Sequence, residues 1–166
     1  MSEVKELKFP DLVYFEDYNG IFQNYFEVVY KIFENDFIKQ QPIYENLSVS
    51  APKHPLVDDK FHRTFYHITH EGEIENEREP DFRRMERIRF PKFVIDNCPN
   101  TNLLIWEKLI GGDQRVHILN EEKHYLVVLT RRKDYLMLCT AFYIEQEHTV
   151  RKKIKEYEAY KKTKTA

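Results

Sequence analysis

Between residues 103 and 144 the chain alternates strand-like segments with connections too short to cross a sheet. Segments 103–110 and 115–119 are separated by a turn around Gly111-Gly112-Asp113, and paired glycines suit the left-handed backbone of a tight hairpin. Segments 125–130 and 135–144 are separated by Arg131-Arg132-Lys133-Asp134. Connections this short join antiparallel neighbours, because a parallel return needs a crossover of about a dozen residues. The run predicts a four-stranded antiparallel sheet, and the rest of the chain must pack on it. The segment that follows, 146–163, has a helical pattern, with Val150, Ile154, Tyr157 and Lys161 on one face and charge elsewhere.

Upstream the period changes. Ile21, Phe22, Tyr25, Phe26, Val29, Ile32 and Phe33 recur at steps of three and four, which predicts an amphipathic helix ending by Pro42. Residues 42–60 hold Pro42, Pro52 and Pro55 and read as loop with at most a short strand. FHRTFYHIT at 61–69 is rich in β-branched and aromatic residues and reads as a strand. The acidic stretch 71–80 reads as a mobile loop. Asp81 suits a helix N-cap ahead of Phe82, Met85 and Ile88, and Pro91 breaks that helix or starts a second short one through 92–97. The expected fold is α+β. An N-terminal helical region packs on a C-terminal four-stranded antiparallel sheet with a final helix, and no parallel crossover is needed. At 166 residues the chain fits a single domain, with residues 1–60 an aromatic helical extension and 61–166 the core.

Twelve Phe and 11 Tyr against 4 Gly supply a large aromatic core. Charge is uneven: residues 1–80 carry 8 Lys/Arg and 16 Asp/Glu, residues 81–166 carry 18 and 12. The basic half suits a polyanion partner, and equally an ordinary solvated surface. Cys98 and Cys139 lack any zinc spacing and read as buried thiols. The opening MSEVKELKFP has no apolar signal-peptide core, and no apolar stretch is long enough to span a bilayer, so a cytoplasmic protein without membrane contact is expected. Gly111-Gly112 is too short for a nucleotide loop, and neither HExxH nor a paired acidic metal motif occurs, so no cofactor or metal is expected.

The chemistry-bearing residues concentrate in the second half. Arg83, Arg84, Arg87 and Arg89 lie on the helix that Asp81 opens; Arg84 and Arg87 share a face, where two guanidinium forks suit a phosphate. The alternative is a solvated face paired with Glu79 and Glu86. His67 and His70, three apart on a strand, would point to opposite faces, and His67 is an acid–base candidate or an ordinary hydrogen-bonded histidine. Thr140 and Tyr143 on the last strand would orient a substrate only if a bulge brings them to one face. His117 sits opposite the apolar face beside Arg115 and is a second acid–base candidate. Arg131, Arg132 and Lys133 at the basic turn, and Arg151 and Lys152 beside His148, are candidate phosphate contacts or solvating charge.

Taken together, YHI at 66–68, RRMERIRFP at 83–91, IWE at 105–107, HYLVVLTRRKDYLMLCTAFYIE at 124–145 and EHTVRKKIKEYEAYKK at 147–162 resemble a known nuclease group. It is the phage- and mobile-element-associated branch of the barnase–EndoU–colicin–RelE-like (BECR) nucleases. The resemblance covers residues 65–162, and Phe90 stands where that pattern tends to Trp. It implies a metal-independent endoribonuclease acting as a toxin, RNA as partner and a neutralising protein as a second partner. It also implies a catalytic set matching His67, Arg84, Arg87, Thr140 and Tyr143, with Arg83 and the basic turn and helix assisting. A non-catalytic nucleic-acid-binding accessory module would use the same basic surface without the histidine.

Overall fold

A computed structural model describes residues 6–74 and 77–165. Helix α1 (Phe22–Glu34) buries Tyr25, Phe26, Val29, Tyr30 and Phe33, the stripe that the three- and four-residue spacing draws. A wider π turn at Asn35–Lys39 extends it and adds Phe37 to the core. Strands β1 (Ile43–Tyr44) and β2 (Leu47–Ser50) form a hairpin across Glu45 and Asn46, both at positive φ, as a two-residue twisted turn requires.

Residues 61–69 correct the sequence reading: they form no strand, and α2 spans Arg63–Thr69. Phe61, Phe65 and Ile68 recur at helical spacing and are buried. Phe65 meets the rings of Phe26, Tyr30 and Phe33 at centroid distances of 5.3, 4.8 and 5.3 Å. Burial of that one face against α1 outweighs the β-preference of the individual residues. The acidic stretch is pinned at both ends by pairing of β3 (His70–Glu71) with β4 (Glu79–Pro80), while residues 75 and 76 lie outside the described residues. Asp81 caps α3 (Phe82–Glu86), its carboxylate accepting from the Arg84 amide at 3.2 Å. Pro91 sits in the first turn of α4 (Phe90–Asp96), where its missing N–H costs nothing.

Strands β5 (Leu104–Ile110), β6 (Asp113–Asn120), β7 (Tyr125–Arg131) and β8 (Leu136–Tyr143) pair antiparallel in sequence order. The sheet is larger than the four strands expected. It has six, ordered β1-β2-β8-β7-β6-β5, and is mixed because β2 runs parallel to β8. The long stretch between β2 and β8 supplies the crossover that short turns could not. Pairing to β2 reaches only Leu136 and Met137, and α2 and α3 also pack against β8.

The sheet has two covered faces. The N-terminal segment and α1 to α4 pack on one, with Val116, Ile118, Tyr125, Val127, Leu129, Leu138 and Ala141 beneath them. Helix α5 (Glu147–Thr165) packs on the other, through Val150, Ile154, Tyr157 and Tyr160 against Trp106, Leu119, Leu126, Val128 and Phe142. Cys98 and Cys139 are half-buried free thiols that join these two different clusters. Among the described residues no helix is long and apolar enough to cross a membrane.

Candidate basic and aromatic site

Tyr143, the last residue of β8, is the centre of a cluster. The Arg87 guanidinium lies 4.3 Å from its ring centroid and that of Arg83 lies 5.7 Å away. The His124 imidazole stacks nearly parallel to the same ring at 6.1 Å. The local fold explains the convergence. Arg83 and Arg87 lie four apart, on α3 and its C-cap, and α3 packs against β8. His124 closes the β6–β7 turn at positive φ, which aims it back along the sheet end. No sequence signal singled it out, because its position depends on Tyr125 pairing with Tyr143.

Each charged member has an acidic neighbour. Arg83 pairs with Glu145 at 3.0 Å, both more than half exposed, and Arg87 lies 3.6 Å from Glu86. His124 Nε2 lies 3.2 Å from Glu147 and its Nδ1 lies 3.3 Å from the Ile144 carbonyl oxygen. Burial raises the Glu86 carboxyl above the usual range, despite Arg87 and Arg83 beside it. Burial likewise pushes the Tyr125 phenol up, with the charges of Arg87 and Arg84 opposing it. A cleft of about 730 Å³ adjoins Arg87 and includes Lys8, Phe9 and Lys123 in its wall.

The other expected site residues do not join this cluster. Arg84 does not share a target with Arg87. Its guanidinium lies 5.3 Å from the Phe142 ring, and Nη1 donates to the carbonyl oxygens of His70 at 2.9 Å and His67 at 3.4 Å. Its Nε lies 3.4 Å from Asp81. It therefore satisfies carbonyls at the end of α2, a structural task. His67 is in the last turn of α2. Its Nδ1 lies 2.7 Å from Arg78 Nη1, which can only donate, so this nitrogen accepts and is not free to take a substrate proton. His70 is buried, stacks on Tyr66 at 3.9 Å, and burial lowers its pKa.

Thr140 and Tyr143 do not converge. A bulge does occur in β8, but it falls before Thr140: Leu129 pairs with Leu138 and Val128 with Thr140, leaving Cys139 as the extra residue. Residues 140 and 143 thus remain out of phase. Tyr143 faces the helical side opposite Tyr125, whereas Thr140 lies opposite Val128 on the α5 side. On that face the row continues through Val128 to His117 and Trp106. His117 is buried, stacked on Trp106 at 5.2 Å, and lowered to about 4 by burial and by Lys153 and Lys108, with Glu156 opposing.

The remaining basic candidates are scattered. Arg131 is held between Glu107 at 2.8 Å and Glu45 at 3.1 Å, and Arg132 pairs with Asp113 at 3.2 Å. With Lys133 they lie at the far end of β8 from Tyr143, roughly 20 Å away at about 3.3 Å per residue. Arg151 and Lys152 are exposed on α5. Among the described residues no group of three or more His, Cys, Asp or Glu is placed to hold a metal ion. Comparison with protein-family models, curated proteins and solved structures finds no match to this chain.

Proposed function

We propose that this chain is a metal-independent endoribonuclease whose site is the Arg83–Arg87–Tyr143–His124 cluster. The observation that carries the reading is the gathering of two guanidiniums and an imidazole on one phenol ring at the rim of the sheet. RNA carries its own nucleophile, so such a site needs only a proton acceptor, a proton donor and cations for the phosphorane. Glu147, 3.2 Å from His124 Nε2, accepts the 2′-hydroxyl proton. The 2′-oxygen then bonds to phosphorus, the P–O5′ bond breaks, and the His124 Nε2–H, released as Glu147 turns to the 2′-hydroxyl, protonates the departing O5′. Arg87 and Arg83 hold the phosphate oxygens, and the Tyr143 ring holds the two guanidiniums in place. Exposed ion pairs such as Arg83–Glu145 are weak, so exchanging a carboxylate for phosphate costs little.

The test is incubation of the purified chain with total RNA in excess EDTA, followed by end-group analysis. Fragments ending in 2′,3′-cyclic phosphate are expected, with rates falling about 100-fold or more in His124→Ala and Arg87→Ala. Cleavage that survives both substitutions removes the reaction from this cluster.

The commitment of His67 to Arg78 and of Arg84 to the α2 carbonyls favours a second reading, a non-catalytic nucleic-acid-binding module. RNA then stays intact, and binding weakens steeply with salt as phosphate contacts release counterions.

A further inference from the structure

Helix α5 places a carboxylate where the sheet has assembled donors. Glu156 Oε2 accepts from the Trp106 indole N–H at 3.3 Å, and Oε1 lies 3.3 Å from Lys108 Nζ and 3.7 Å from Lys153 Nζ. Trp106 and Lys108 are two apart on β5 and so share a face, and Lys153 reaches the same point from α5. Burial alone would raise the Glu156 carboxyl. Lys153, Lys108 and the indole outweigh it and lower the group. Both carboxylate oxygens are thus held, as an oxyanion is held in a binding site.

The surroundings are not those of a face made only for packing. Arg115 lies directly across from Lys108 on the same face, and His117 across from Trp106. Among the described residues, Arg115 Nε is buried with no hydrogen-bond partner, and the buried His117 ring has only the Arg115 backbone near it as an acceptor. Such groups are costly under a helix that needs only aliphatic contacts, which the neighbouring Leu119, Leu126, Val128 and Val150 provide. Glu156 is the one carboxylate among the charges that act on His117, against Lys153 and Lys108.

We propose that Trp106, Lys108 and Lys153 form a phosphate-binding site on the α5 face of the sheet, and that Glu156 is its built-in competitor. Phosphate, with more negative charge and more acceptor oxygens than a carboxylate, suits two ammonium groups, an indole N–H and the nearby Arg115. Its entry displaces Glu156, so binding is coupled to loosening of α5. The site lies on the opposite face of the sheet from Tyr143, so the proposal stands apart from RNA cleavage there.

The experiment uses the full chain and inorganic phosphate, read by the fluorescence of Trp106, the sole tryptophan, against sodium chloride at matched ionic strength. Glu156→Ala is expected to bind phosphate about tenfold or more tightly than the unaltered chain, and Lys108→Ala in that background to abolish the gain. In the unaltered chain, α5 amides are expected to exchange faster in phosphate than in chloride. Equal affinity in the two proteins, or a gain that survives Lys108→Ala, overturns the proposal. If Glu156→Ala loses helix content by circular dichroism, the exchange comparison decides alone, and α5 amides that exchange equally in both salts overturn it.

Discussion

Arg84 and Arg87 are three apart in sequence and do different work. Arg84 donates to two carbonyls at the end of α2 and touches Asp81, whereas Arg87 donates to the Arg83 carbonyl of its own helix and lies on the Tyr143 ring beside the cleft. Arg84→Ala is expected to lower unfolding free energy in urea by about 2 kcal/mol, because charged hydrogen bonds to partly buried carbonyls are lost. Arg87→Ala loses one carbonyl bond within its own helix, so it is expected to cost less, about 1 kcal/mol, and to weaken RNA binding. The reverse pattern would exchange their roles. His117 carries a pH signature. Its folded value is lowered from 6.5 to about 4. Above its unfolded value neither state binds the proton, and the stability is fully present. As pH falls from about 6.5 to about 4, only the unfolded chain takes up the proton, and up to roughly 3 kcal/mol is lost. His62 and His70 are lowered by burial and act in the same direction. His117→Gln should flatten part of this loss in urea titrations across that range, and an unchanged slope would contradict the assignment.

At the scale of elements, the residues of α2 favour strand while their partners demand helix. Phe65 is fully buried, with Phe61 and three α1 rings around it. Phe65→Ala should cost about 3–5 kcal/mol, since a large ring leaves a cavity in an aromatic cluster. A cost below about 1 kcal/mol would mean that α2 is not anchored by this face. The element α3, by contrast, was legible. Asp81 before Phe82, Met85 and Ile88 is a capping signal that needs no tertiary context, and the carboxylate does accept from the Arg84 amide. The bulge in β8 shows the limit of such signals. Nothing local in LMLCTAFY marks Cys139 as the extra residue, and its position is what parts Thr140 from Tyr143.

For the molecule as a whole, Arg131 is the informative residue. It stands at the end of β7 and holds Glu45 from the β1–β2 turn and Glu107 from β5, the two opposite margins of the six-stranded order. The same margins line one cavity of about 700 Å³, with Tyr44 and Glu45 facing Ile105 and Glu107. Arg131 therefore fastens a rolled sheet. Arg131→Met should lower thermal stability, by about 1–3 kcal/mol for the lost charged hydrogen bonds, and leave RNA affinity unchanged. Loss of RNA affinity without loss of stability would return the basic turn to the nucleic-acid surface.

The sequence by itself determined what local physics controls. The amphipathic stripe of α1, the cap of α3, the glycine turn at Gly111-Gly112 and the antiparallel order of β5 to β8 each depend on neighbours within a few residues. It also placed Arg83, Arg87 and Tyr143 among the residues of interest. Tertiary structure decided what depends on distant partners. It turned 63–69 into a helix against α1, added β1 and β2 to the sheet by a parallel pairing, and brought His124 to Tyr143 through strand register. It also tied Arg84 and Arg131 into hydrogen bonds and ion pairs. A side chain's type and spacing fix the chemistry it can offer. Only the packed chain fixes whether its donors and acceptors remain available, because each is satisfied by whichever partner the fold brings nearest.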